Sequence, residues 1–341
     1  MSTLSQNHDQ HPTHQLTGSA YLAATFKSLY NDHSWLTLTG CLMLADMVLS
    51  IVGLIADPSV ITGAPAWLKP LKFAISTGLF SFTVAWMIGR LHKTRRLAAW
   101  IGRFMASSLT LEIILIDMQA ARHTTSHFNT ALPFDRAVYG IMGMGIAIVF
   151  LATTLLLAAT LFEKFPDRSL GYSIRLSLVL ALAGMSTGAM MSIPTPQQLT
   201  AAHAGLGLPR TGAHTVGAPD GGPGLPFTGW SADHGDLRIA HFVGLHAMQV
   251  LILAWGITGG WASAALRWSQ KQQSRLVWAL AFSLAAAYAT LLVQALRGQS
   301  FLHPDSQIAI SWATTAVLTA ALLFWAASST NQTTASFKEN A

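Results

Sequence analysis

Residues 137–162 and 307–328 contain no Asp, Glu, Lys or Arg. About twenty apolar residues are what a helix needs to cross the hydrocarbon core of a bilayer. No water reaches that core, so each backbone N–H and C=O must be satisfied within the segment, which dictates a helix. Six further stretches of similar length carry only scattered charges. The sequence therefore predicts an all-α, polytopic membrane bundle of about eight transmembrane helices, at 35–56, 68–90, 98–121, 137–162, 172–193, 238–262, 274–297 and 307–328. Composition agrees, with 52% hydrophobic and 10% charged residues, and no soluble domain fits between the spans. Residues 1–33 are polar and lack the apolar core of a signal peptide. They read as a disordered cytoplasmic tail in which His8, His11 and His14 are incidental. Residues 329–341, rich in Thr, Ser and Asn, read as a second cytoplasmic tail.

Two segments repeat each other. LKPLKFAISTGLFSFTVAW (68–86) aligns without a gap on LRIAHFVGLHAMQVLILAW (237–255), matching Leu68 to Leu237, Lys69 to Arg238, Phe73 to Phe242 and Trp86 to Trp255. Gln119-Ala120-Ala121-Arg122 likewise echoes Gln294-Ala295-Leu296-Arg297. The expectation is a parallel 4+4 repeat, with a first four-helix unit at 34–165 and a second at 170–328. Four spans per unit is an even number, so both units insert the same way round. The copies differ at a telling place, where Lys72 in the first corresponds to His241 in the second.

The basic loops at Arg90–Arg96, Lys164–Arg168 and Arg267–Arg275 fall on one side if the spans alternate. The positive-inside rule places that side, and both termini, in the cytoplasm, most simply at a bacterial inner membrane. This use of the basic residues accounts for the net charge of +6 without nucleic acid. Trp35, Trp67, Trp100, Trp230, Trp268 and Trp278 lie near expected span ends, as an aromatic belt would. The single cysteine, Cys41, excludes an intrachain disulfide and a CxxC zinc site. Residues 194–236 form an extracytoplasmic Gly/Pro-rich segment, either a flexible loop or a lid; Phe227 and Trp230 favour the lid.

Ionisable groups inside a membrane are costly and face the protein interior. Asp46 and Glu112 fall near mid-membrane and are candidates for a proton or cation relay. Glu112, Gln119 and His123 follow at seven and four residues and share a helical face. Arg122 and His127 adjoin it. The sixth span opens with Arg238, His241, His246 and Gln249. The seventh closes with Gln294 and Arg297, followed by His303. With Lys72 these residues form a polar layer at the outer side.

Three functions suit such a layer. One is a haem b redox protein or membrane oxidoreductase, with a quinone as a possible partner. Haem needs axial histidines on facing helices; His241 with His123, His127 or His303 would supply them, and Arg122, Arg238 and Arg297 would face the propionates. In helix count and duplication the chain is similar to haem A synthase, none of whose motifs it carries. The second is a proton- or cation-coupled transporter of a small molecule, which gives Asp46, Glu112 and Gln119 a purpose. The third is a membrane metalloenzyme using His and Asp of the outer loop, although no metal-ligand spacing is present.

Overall fold

A computed structural model describes residues 18–261 and 267–328. The long helices are α2 (Ser34–Ala56), α3 (Leu68–Gly89), α4 (Arg95–Ala121), α5 (Pro133–Leu161), α6 (Arg168–Met191), α8 (Leu237–Trp255), α9 (Gln270–Leu296) and α10 (Ser306–Ala327). They are joined by α1 (Gly18–Asp32) before them and a short α7 (Pro196–His203) among them, and a π-helical turn, Gly256–Gly260, extends α8. Eight helices are long and apolar enough to cross a membrane, as the apolar runs require. Leu38, Val48 and Ile55 on α2 and Val317 and Phe324 on α10 are exposed. Such an apolar exterior belongs to an integral membrane protein in a lipid bilayer. Four helices start three or four residues earlier than the apolar runs do. Their first turns hold polar residues, such as Arg95 in α4, Asp135 in α5 and Gln270 in α9, which a search for apolar runs leaves out.

The expected disordered tail is corrected over residues 18–32. They form α1, which packs on α2 and α3. Asp32 pairs with Arg90 at 3.2 Å, and Phe26 meets Phe82 edge-on. These partners are distant in sequence, so no local pattern announces the helix. Residues 1–17 and the expected tail 329–341 lie outside the described residues.

Among the first four long helices, α2 packs on α3 and on α4, α3 on α4, and α5 on α4. Among the last four, α6 packs on α8 and on α9, α8 on α9, and α10 on α9. Helices α4 and α9 have 27 residues each and close alike. The N–H of His123 bonds to the carbonyl of Ala120 and that of Thr124 to Gln119, at 2.9 and 3.0 Å; Gly298 bonds to Ala295 and Gln299 to Gln294, at 2.9 and 3.1 Å. These are Schellman bonds, which need a left-handed residue just past the helix. Gly298 takes that conformation with φ 71°, and His123 takes it with φ 55°. Arg122 then holds Asp135 of α5 at 2.6 Å, and Arg297 holds Asp305, the N-cap of α10, at 2.5 Å.

The two halves meet where α5 packs on α6 and where α3 approaches α8. The rings of Trp86 and Trp255, which align in the sequence, lie 5.6 Å apart. Beside them α6 and α8 cross so closely that a Cβ on Gly184 would stand 2.6 Å from the backbone N of Leu245, and one on Gly244 2.6 Å from the Cα of Gly184.

Segment 194–236 is an ordered cap. Beyond α7, Thr215–Val216 pairs antiparallel with Gly235–Asp236. Isolated bridges tie Arg210 to Asn129 of the α4–α5 loop and His234 to Gln299 beyond α9. A small hairpin, Val60–Ile61 with Ala64–Pro65, touches the cap, Gly63 lying against the carbonyl of Gly221.

The glycine crossing can be tested. Gly184→Ala forces α6 and α8 apart and is expected to cost about 1–3 kcal/mol, the usual overpacking penalty. Gly140→Ala, where a Cβ meets nothing within 4 Å, is expected to be neutral or stabilising by about 0.5–1 kcal/mol. Thermal unfolding in detergent reads both; equal midpoints for the two variants would contradict the close crossing.

Candidate outer-side site

On α3, Lys69, Lys72, Ser76 and Thr83 are three, four and seven residues apart, a spacing that puts them on one helical face. That face meets α8 and the cap. Lys72 Nζ donates to the carbonyl of Thr228 in the cap at 2.7 Å. Ser76 Oγ lies 3.1 Å from His246 Nε2, and Gln249 Nε2 donates to Thr83 Oγ1 at 3.2 Å. His246 Nδ1 is 3.2 Å from Gln249 Oε1. An amide oxygen only accepts, so Nδ1 carries the proton and Nε2 accepts from the serine.

Helix α8 begins at Asp236, whose side chain accepts from the backbone N–H of Arg238. The Arg238 guanidinium returns to the same carboxylate, Nε at 2.9 Å and a terminal N–H at 2.6 Å, and donates to the carbonyl of Gly229 at 2.8 Å. Ser231 N–H completes the carboxylate at 2.7 Å. Arg238 therefore staples the cap to the mouth of α8. One turn further in, His241 Nδ1 lies 2.7 Å from the carbonyl of Gly184. It must donate there, which leaves Nε2 as the acceptor nitrogen of the ring. Gly188 makes room for the imidazole: a Cβ there would sit 3.0 Å from the ring.

Glu112 of α4 is 4% exposed. His127 Nε2 lies 3.3 Å from Glu112 Oε1, and neither carboxylate oxygen has a well-formed hydrogen bond among the described residues. On its other side, His127 Nδ1 is 2.9 Å from Lys69 Nζ. The three groups form a line from the cap to a carboxyl within the membrane: Lys69, His127, Glu112. Burial and then the neighbouring Lys69 lower the His127 pKa, against the opposing pull of Glu112. A neutral ring accepts from Lys69 at Nδ1 and presents Nε2–H to Glu112.

His214 sits under the cap with its Nδ1 2.8 Å from Asp220 Oδ2 and its ring edge-on to Phe128 at 4.9 Å. Burial lowers its pKa to about 4 despite the aspartate. Burial alone would raise Asp220, but hydrogen bonds from the His214 side chain and from the backbone N–H groups of His214 and Thr215 hold it well below the usual carboxylate range.

The structure thus gathers Lys72, His127, Arg238, His241, His246, Gln249 and Glu112, and adds Lys69, Ser76, His214 and Asp220. Others from the sequence layer are elsewhere. His123 is largely exposed and pairs with Asp57 at 3.3 Å. His303 is exposed beyond α9. Arg122 and Arg297 close the Asp135 and Asp305 clasps. Gln119 donates to Asp135 at 3.0 Å; Gln294 donates to the carbonyl of Ser300 at 2.7 Å and accepts from Trp312. Asp46 faces Asp117 between α2 and α4, away from the outer layer. Among the described residues no group of three His, Cys, Asp or Glu side chains is arranged to hold a metal ion. No protein-family model, curated protein or solved structure significantly matches the chain.

An unfolded histidine binds its proton near pH 6.5, whereas folded His214 does so only near pH 4. Between these values the unfolded state holds the extra proton, so stability rises with pH. Unfolding midpoints are expected to fall as pH drops from about 6.5 towards 4, and His214→Gln to flatten that slope. An unchanged slope in the variant would contradict a neutral, buried His214.

Proposed function

We propose that this membrane protein is a proton-coupled carrier of a small anionic solute, which enters from the outer side between α3 and α8. One observation carries the reading: two lysines and an arginine cluster under the cap, where Lys69 touches His127 and His127 leads to buried Glu112. Lys69, Lys72 and Arg238 lie close enough to feel one another's charge. Arg238 has a carboxylate to itself, while Lys72 is held by a backbone carbonyl. An anion under the cap replaces that carbonyl with a charged acceptor, a stronger partner for an ammonium. The positive mouth also draws anions from solution. A proton relayed along this line, from Lys69 to His127 Nδ1 as His127 Nε2 releases its own to Glu112, accompanies the anion, and Lys69 regains its proton from water; a monovalent anion then crosses with no net charge.

The scaffold for this site is a parallel 4+4 repeat. The equal lengths of α4 and α9, their matching closing bonds, the matching Arg–Asp clasps and the repeated packing order all support it. The contact of Trp86 with its counterpart Trp255 is what a twofold axis along the membrane normal produces. On that axis the two copies present different side chains, Lys72 against His241, which makes one asymmetric site. The basic loops at the opposite end favour cytoplasmic termini by the positive-inside rule.

A haem reading rests on His241, whose Nε2 is the acceptor nitrogen. A bis-histidine haem needs a second histidine, and both nitrogens of His246 and of His127 are engaged by neighbours. An absorption spectrum of the purified protein separates the readings: a Soret band that His241→Ala removes would replace the carrier by a haem protein.

Uptake of radiolabelled small mono- and dicarboxylates into proteoliposomes tests the carrier directly. An inward proton gradient is expected to accelerate uptake, and Glu112→Gln to abolish that acceleration. Lys72→Gln is expected to raise KM about tenfold or more, the loss of one charge-assisted hydrogen bond. Uptake that ignores both the gradient and Glu112→Gln would overturn the coupling.

A further inference from the structure

A second polar site lies on the opposite side of α4 from any role in the anion mouth. Helices α2 and α4 run parallel with a constant offset in their pairing. Thr39 Oγ1 meets Thr110 Oγ1 at 3.1 Å, and seven residues further along both helices Asp46 and Asp117 line one cavity. Seven residues are two helical turns, so the two pairs share one seam. Asp46 is 6% exposed. Neither of its oxygens, nor Oδ1 of Asp117, has a donor among the described residues. Two unsupported carboxylates side by side in apolar surroundings are unstable, so the pair must hold a proton or a cation.

The seam is not closed. A cavity of about 290 Å³ lies against both carboxyls, several times the volume of about 30 Å³ that a water molecule takes up in the liquid. Its remaining walls are apolar, and Leu42, Leu49 and Ile114 among them are 43%, 51% and 53% exposed on the outer surface of the bundle. The opening therefore faces lipid. The fold does not demand these acids: α9 matches α4 in length and end structure and carries Leu292 where α4 carries Asp117.

We propose that Asp46 and Asp117 form a binding site, entered sideways from the bilayer, for a lipophilic ammonium ion. A metal cation such as calcium asks for six to eight oxygens, and the walls offer only leucine, isoleucine and alanine beside the acids. An ammonium group has three N–H donors and no acceptor, which suits two facing carboxyls, and its alkyl chain suits the walls. The ammonium displaces a proton held by the pair. One positive charge enters as another leaves to water, so the charge of the seam is unchanged. This site is independent of the carrier reading, since none of the outer-layer residues takes part.

The test uses the full-length protein in liposomes and dicyclohexylcarbodiimide, an apolar reagent that adds to protonated carboxyls reached through lipid. The acid proton goes to a carbodiimide nitrogen and the carboxylate oxygen to its central carbon. Rearrangement to an N-acylurea leaves the whole reagent on the side chain as a stable mass increment. Peptide mass spectrometry is expected to find the adduct on Asp46 or Asp117, and a water-soluble carbodiimide to leave both unmodified. Dodecylammonium at about ten times its Kd is expected to reduce labelling about tenfold by mass action, while dodecanol leaves it unchanged. Labelling that ignores the amine, labelling that the alcohol suppresses equally, or no adduct at either aspartate would overturn the proposal. None of these outcomes bears on anion uptake through Glu112, so the two readings fail separately.

Discussion

Water is missing between the two faces of the bilayer, and every polar side chain in this protein is placed by that fact. A group in hydrocarbon must find a partner or lose its charge. Buried serines and threonines meet the need locally, as when Thr153 donates to the carbonyl of Val149. Glu112 and the Asp46–Asp117 pair do not, and each lies where a mobile species can reach it: His127 and Lys69 above Glu112, an open cleft beside the aspartates. Single polar atoms of Ser50, Ser59, Ser81 and Arg175 are likewise without a partner among the described residues; the acids stand apart because their charge must also be neutralised.

The approach of α3 to α8 organises the outer layer. The Gly184–Gly244 crossing brings α6 against α8 and sets the carbonyl of Gly184 under His241. Ser76 and Thr83 reach across to His246 and Gln249. The cap is bound to the same two helices, by Lys72 to Thr228 and by Arg238 to Gly229. Any movement of α3 relative to α8 therefore reaches the cap.

Much of this was legible in the sequence, and the limits are physical. Length and apolarity located eight helices, because a run of about twenty apolar residues crosses a bilayer as a helix. Their starts were read late, since first turns such as Arg95–Arg96 sit at the polar surface. The outer layer was found by counting inward from helix ends, which measures depth but not direction around the bundle. Arg122, Arg297, His123 and His303 share the depth of Lys72 and His241, yet they turn to Asp135, Asp305, Asp57 and the surface. Asp117 lies off the stripe of Glu112 and Gln119, so that stripe does not lead to it. Its signal was its matching spacing from Thr110, equal to that of Asp46 from Thr39, which needs the two helices to be known as neighbours. Helix α1 was hidden for the same reason, its partners being on α2 and α3.

If Lys72, Arg238, His127 and Glu112 act as one site, an anion and a proton bind there together. Proton uptake upon anion binding measures this without transport. Purified protein in weakly buffered detergent solution, with a pH indicator, receives a carboxylate that is carried. The account predicts that a proton disappears from solution as the anion binds, and that Glu112→Gln binds the anion without taking it up. Anion binding with no proton uptake by the unaltered protein would contradict it.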